Sequence, residues 1–164
     1  MKRLFVYMTM MLAVITMTTS CKKDDNGRSA EDVAKSICAT GWQGYNQYQV
    51  KEMGGWVDRD NDFVVMRFDR SNNTDIKGTG WQLQFDNSNF NNLQEKSAFE
   101  WYISDGRLYI TYKESGWGRV NAITNDMDMA GDYFTGWWLT NDGDRRYRFD
   151  YKVSGFKDWD KYTK

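Results

Sequence analysis

From Trp42 onward, apolar and polar residues alternate with a period of two, which is the pattern of strands that bury one face. The clearest example is Trp81–Phe85, where Trp, Leu and Phe are separated by Gln82 and Gln84. We expect the three apolar side chains of this strand to face the core. Further along the chain, Asp105-Gly106 separates two alternating segments and indicates a hairpin with a two-residue turn.

Weaker alternating segments near residues 42–50 and 118–124 bring the number of expected strands to about eight. The short connections between them indicate neighbouring antiparallel strands, and closing such a meander removes its exposed edges. The predicted fold class is all-β, an antiparallel up-and-down barrel of about eight strands with a short N-terminal helix. A β-sandwich is the alternative.

The expected helix begins at Ser29, because Ser29-Ala30-Glu31-Asp32 resembles a capping box with Ser29 at the N-cap. It continues to about Ile37 or Cys38, and we expect Gly41 to end it. After the helix, the sequence has no internal repeat and no change in amino-acid composition that would mark a second domain. Residues 29–164 are therefore predicted to form a single domain.

Residues 1–20 have the three parts of a secretory signal peptide: a positive start at Lys2 and Arg3, an apolar stretch, and small residues before Cys21. The segment Thr18-Thr19-Ser20-Cys21 resembles a lipobox, with Thr18 where an aliphatic residue is usual. The resemblance implies that Cys21 is lipidated and that residues 21–28 form a flexible tether. A Lys-Lys-Asp-Asp run after the cysteine resembles the starts of Bacteroidetes lipoproteins and implies an outer-membrane, cell-surface location.

Composition excludes several classes of function. The chain has no His, no Pro and a formal net charge of −1, so nothing favours a nucleic-acid partner. The absence of His removes the commonest general base and metal ligand, and no nucleophile elbow or phosphate-binding loop is present. Cys38 is most simply a small apolar residue. We expect a monomeric protein that is not an enzyme and has no cofactor or metal.

A helix, a Gly-Trp at the first strand and an aromatic-rich antiparallel meander are similar to the lipocalin-like domains of Bacteroidetes lipoproteins. The resemblance covers roughly residues 37–156, although Gly41 and Trp42 are adjacent where lipocalins have one residue between them. It implies a calyx for a small apolar ligand, or an interior filled by side chains. It also implies that Arg146 or Arg148 of the last strand covers Trp42.

Tryptophans occur on or beside nearly every expected strand. Trp42, Trp81 and Trp101 lie on alternating apolar faces and are predicted to be core residues. Trp137 and Trp138 must point to opposite faces of a regular strand, so one of them is expected outside the core or at a rim.

Two further tryptophans, Trp56 and Trp117, lie among glycines. We predict that a small, partly apolar ligand is held in the barrel mouth by these two and Trp138, with polar contacts from Arg119 and Tyr133. The alternative function is a surface interaction module that presents exposed tryptophans to a glycan or a partner lipoprotein. An internal cavity lined by Trp and Tyr favours the first hypothesis, and a packed interior with coplanar exposed Trp favours the second.

The alternating acids Asp58, Asp60 and Asp62 superficially resemble the start of a calcium loop. Phe63 and Asp69 stand where such a loop needs Gly and Glu. We therefore interpret 58–62 as a solvated hairpin turn. Asp126 and Asp128 form a similarly weak acidic pair, and Asn141–Asp144 is most simply a turn.

Overall fold

The computed structural model describes residues 27–86, 88–113, 121–141 and 143–163. The elements in chain order are α1 Ala30–Cys38, β1 Gly41–Glu52, β2 Gly55–Asp69, β3 Lys77–Phe85, β4 Leu93–Ser104, β5 Arg107–Tyr112, β6 Asn121–Ala130, β7 Tyr133–Thr140, β8 Arg145–Val153 and α2 Trp159–Tyr162. Every strand is antiparallel to the next, and β1 pairs with β8 to close the sheet. The predicted up-and-down barrel is confirmed, and it is consistent with a lipocalin-like fold.

Helix α1 begins as the sequence predicts. The Ser29 hydroxyl accepts a hydrogen bond from the Asp32 backbone N–H at 3.1 Å and donates one to Asp32 Oδ2 at 2.7 Å. The expectation that Gly41 ends the helix is wrong. Ala39 closes the last turn in a right-handed conformation, with its N–H bonded to the Ser36 carbonyl, and Gly41 opens β1. A left-handed glycine is not needed because this tight turn leads directly into the strand.

One end of the barrel is closed by α1, which buries Val33, Ala34 and Ile37 against the interior. The indole Nε1 of Trp42 donates a hydrogen bond to the Ile37 carbonyl at 2.9 Å. The Trp42 ring also packs edge-on against Phe134, with 5.5 Å between ring centroids. The C-terminal turn of α1 is therefore fixed to the first strand by a buried hydrogen bond and by aromatic packing.

The expected cover of Trp42 by Arg146 or Arg148 is not formed. Tyr147 and Phe149 point into the barrel, so the arginines that alternate with them point outward. Arg146 lies between the rings of Trp56 and Trp137 on the outer surface, 4.2 Å from each centroid.

Above this closed end, aromatic rings fill the barrel. Phe134 packs against Trp138, Phe149 and Tyr151, with centroid separations of 6.4, 4.8 and 6.0 Å. Trp101 is also buried, as predicted, and donates to the Thr79 carbonyl at 2.8 Å. This half of the interior is a packed hydrophobic core.

A second apolar cluster lies outside the barrel. The outward side chains of β2 and β3 pack under the C-terminal segment and α2, in a cluster built around Phe63, Val65, Leu83, Phe85 and Trp159. Trp81 is only partly buried and belongs to this outer cluster. The predicted burial of this strand face is confirmed for Leu83 and Phe85. The buried face lies outside the barrel, however, and Gln82 and Gln84 face its interior. The cover supplied by α2, which the period-two pattern does not predict, makes this orientation stable.

Glycine permits a close approach at the edge of the closed end. A Cβ at Gly80 would overlap the ring of Phe99 and the carbonyl oxygen of Arg67. The interior aromatic ring of β4 can therefore lie against the backbone of β3 only because residue 80 has no side chain.

We expect Trp42→Ala to lower the free energy of unfolding by about 3–5 kcal/mol, because it removes a buried ring and its hydrogen bond to α1. Chemical denaturation followed by circular dichroism measures the change. The control is Tyr133→Ala, since Tyr133 is 58% exposed and its loss should alter stability by no more than about 0.5 kcal/mol. Equal effects of the two substitutions would contradict the assignment of Trp42 to the closure of the barrel.

Candidate functional site

The end of the barrel opposite α1 contains a cavity of about 440 Å³. It lies between the ends of the strands that lead into the β1–β2, β3–β4 and β7–β8 connections. Its walls are inward-facing side chains from all eight strands: Asn46, Tyr48, Asp60, Asp62, Gln82, Gln84, Glu95, Ser97, Tyr112, Ala122, Trp138, Thr140, Arg145 and Tyr147. The interior is therefore filled at one end and hollow at the other.

A chain of hydrogen bonds forms the floor of the cavity. Trp138 Nε1 donates to the Tyr151 hydroxyl at 3.3 Å, and that hydroxyl donates to Asn46 Oδ1 at 2.5 Å. Burial raises the pKa of Tyr151 far above its ordinary value, so the phenol remains a neutral donor. This chain separates the polar cavity from the aromatic core beneath it.

Aromatic side chains form one part of the cavity wall. Tyr48 and Tyr147 are paired across β1 and β8, and their rings stack with 4.9 Å between centroids. Tyr112 donates a hydrogen bond to Gln82 Oε1 at 2.6 Å. Burial is also the main reason that the pKa of Tyr112 is raised well above its usual range. These groups offer ring faces, with hydroxyls that stay protonated.

Three carboxylates form another part of the wall, which we call the acidic arc: Asp60 and Asp62 on β2 and Glu95 on β4. Burial raises the pKa of Asp62 above 3.8, and repulsion from Asp60 and Glu95 raises it further. Glu95 accepts a hydrogen bond from the Ser97 hydroxyl at 2.8 Å. The acidic arc concentrates negative charge on one side of the mouth.

The interpretation of 58–62 as a turn is wrong, because these residues lie within the long strand β2. The pairing of β1 with β2 shifts between Gln47 and Gln49, where β2 has one extra residue. Asp58 accepts a hydrogen bond from Gln49 outside the cavity, whereas Asp60 and Asp62 line it. The bulge breaks the alternation that would otherwise place all three acids on one face.

The predicted ligand contacts are dispersed. Trp138 lines the cavity, but Trp56 lies outside the barrel against Arg146. Tyr133 is exposed at the other end, beside the β6–β7 turn. The remaining predictions, Trp117, Arg119 and the lipidated Cys21, lie outside the described residues.

Most of the cavity wall was not predicted from sequence. The alternating pattern places Gln82 and Gln84 on the face opposite the buried one, and it predicts a turn at Asp60 and Asp62. The one sequence signal for this arrangement is the apolar C-terminal segment with Phe156 and Trp159, which needs an apolar surface to cover. Cys38 packs against the core as expected, and burial raises its pKa to about 11, so its thiol is protonated at neutral pH.

No protein-family model, no curated protein and no solved structure matches this chain. Within residues 27–163, apart from the gaps named above, no helix has the length and apolar character needed to cross a membrane. The same part of the chain has no group of three or more Cys, Asp or Glu side chains that could hold a metal ion. The cavity must therefore be interpreted from its own chemistry.

The raised pKa of Asp62 means that the folded protein holds its proton more tightly than the unfolded chain does. The ionised Asp62 carboxylate therefore lowers the free energy of unfolding at pH values above its pKa in the folded protein. This loss of stability disappears at pH values below its pKa in the unfolded chain. We expect Asp62→Asn to increase the thermal unfolding temperature at neutral pH, and the gain to vanish below about pH 4. Thermal denaturation from acid to neutral pH measures this difference.

Asp58→Asn is the matched control, because it removes the same charge from the outer face of the same strand. It should give no comparable gain. A gain for Asp62→Asn that does not change with pH would contradict the electrostatic account.

Proposed function

We propose that this protein is a membrane-anchored binding lipoprotein that holds a small, partly apolar ligand in the mouth of its barrel. The observation that supports this function best is the hollow end of the barrel, with its volume of about 440 Å³. Small-molecule sites in proteins are typically concave and measure about 300–1,000 Å³. Binding, without catalysis, accounts for every feature of the cavity described above.

The wall favours a ligand with both apolar and polar parts. Tyr48, Tyr147 and Trp138 offer ring surface for an apolar portion. Gln82, Gln84 and the acidic arc offer hydrogen-bonding groups on the other side. A fully apolar ligand would leave these polar groups without water or a partner, which is unfavourable.

The alternative, a surface module that binds a glycan or a partner through exposed tryptophans, has less support. Trp56 and Trp137 both stack on the Arg146 guanidinium. A sugar ring would have to displace that cation to use the covered faces. An internal cavity lined by Trp and Tyr is the feature that favours ligand binding inside the barrel over the surface module, and Trp138, Tyr48 and Tyr147 line this cavity.

The cavity is tested by native mass spectrometry of the purified protein after incubation with a small-molecule extract of cells. We expect a reproducible added mass that is released on unfolding. Gln84→Trp should abolish it by filling the mouth, whereas Gln47→Trp places the same ring on the outer face of β1 and should retain it. The proposed function would be overturned if no fraction of the extract added mass to the protein, or if the two variants bound the ligand equally.

The anchor is tested separately with Cys21→Ser. If Cys21 carries the lipid, the wild-type protein fractionates with membranes and the variant is released, because several acyl chains stabilise membrane attachment by about 0.8 kcal/mol per buried methylene. Cell fractionation with a denaturing gel measures both. Membrane association of the Cys21→Ser variant equal to that of wild type would contradict lipid anchoring.

A further inference from the structure

We infer that the cavity selects a small organic cation, an amine or ammonium compound whose positive group lies against the acidic arc and whose body lies against the tyrosines. This inference rests on the proposed function and specifies the chemical class of the ligand. It depends on three independent features of the wall: its charge, its aromatic surface and an unused hydrogen-bond donor.

The charge of the wall is the first feature. Among the lining residues that the structure describes, Asp60, Asp62 and Glu95 face the cavity with one cationic side chain, Arg145 on β8. Among the described residues, the charged groups that shift the pKa of Asp62 are the other two carboxylates, and both raise it. A bound cation would relieve this repulsion in a site partly shielded from water, where the attraction is stronger than in bulk solvent.

The aromatic surface is the second feature. The stacked rings of Tyr48 and Tyr147 line the same cavity as the acidic arc, together with Trp138 and Tyr112. Ring faces attract organic ammonium groups through their negative quadrupole, and they also pack against an apolar body. Carboxylates alone would serve any cation, whereas carboxylates combined with ring faces favour an organic one.

A metal ion fits less well. In the part of the chain that the structure describes, no three acidic or thiol side chains converge closely enough to coordinate a metal. The carboxylates come from β2 and β4, which are separated by β3, so they are spread across one side of the mouth. This spacing matches a cation of several atoms.

The third feature is the amide of Asn46, which lines the cavity although the residue is only 7% exposed. Its Oδ1 accepts from Tyr151, but no described group accepts a hydrogen bond from its Nδ2. This amide is not among the buried groups that lack a partner, so its N–H bonds open onto the cavity and can donate to an acceptor on the ligand. We therefore expect the ligand to carry a hydroxyl or carbonyl group in addition to its amine.

The test uses three probes that share a phenol ring and differ in charge: tyramine, 4-ethylphenol and 4-hydroxyphenylacetate. Isothermal titration of the purified protein at low ionic strength measures each affinity. We expect tyramine to bind at least about tenfold more tightly than the neutral probe, and the anion to bind most weakly. Asp62→Asn should remove most of that preference, because it keeps the shape of the side chain and removes its charge.

Asp58→Asn is again the control and should retain the preference, which excludes a general effect of net charge. Circular dichroism checks that both variants are folded. The inference is overturned if the neutral or anionic probe binds as tightly as tyramine, if no probe binds, or if Asp62→Asn leaves the preference intact. A bound mass in the native spectrum would still support the barrel-mouth function in each of those cases, so the two failures are distinguishable.

Discussion

The hydrogen-bonded pairing of β1 with β8 is the constraint on which the rest of the molecule depends. It runs from Trp42 opposite Val153 to Val50 opposite Arg145, and it leaves the sheet with no free edge. At Gly44 the backbones of β1 and β8 lie so close together that a Cβ would overlap the Asp150 carbonyl oxygen. Closure of eight strands gives a narrow interior. At each end of the barrel, the size and polarity of the inward side chains decide whether that interior is filled or hollow.

Those inward side chains differ between the two ends. Near α1 they are aromatic and aliphatic, and they pack into a hydrophobic core that Trp42 holds to the helix. Toward the other end they change to amides, carboxylates and phenols. Some of these groups bond to one another, as Tyr112 does to Gln82, but the three carboxylates repel each other and need water or a ligand. The hollow mouth therefore follows from the same alternation of residues that builds the barrel.

The sequence predicts the fold well because the fold depends on periodicity, which each strand carries locally. The capping of α1 by Ser29 and the Asp105-Gly106 turn, both of whose residues have positive φ, are also local and are confirmed. The cavity is harder to predict, because it depends on which of two faces of a strand points inward. In Trp81–Phe85, either the apolar face or the glutamine face can point into the barrel. Contacts of the apolar face with the distant C-terminal segment decide between these two orientations.

The acidic arc illustrates the same limit. Asp58, Asp60 and Asp62 have equal spacing in sequence, but the bulge in β2 places only the last two in the cavity. A bulge of this kind depends on the partner strand and is not apparent in the alternating acids themselves. Alternation predicts that one of Trp137 and Trp138 lies outside the core, and the structure places Trp137 outside against Arg146 and Trp138 inside. The outward position of Arg146 follows from the inward position of Tyr147, which is fixed by pairing with Tyr48.

The orientation of β3 is the most direct test, because the polar cavity exists only if Gln82 and Gln84 point inward. Nuclear Overhauser effects report it without a ligand. With β3 in this orientation, we expect contacts of the Gln82 side-chain amide with the Tyr112 ring, whose hydroxyl is 2.6 Å from Gln82 Oε1. We also expect contacts between the ring of Phe85 and that of Tyr162, whose centroids are 5.9 Å apart. Contacts of Phe85 with interior rings such as Phe99, and none between Gln82 and Tyr112, would contradict this orientation.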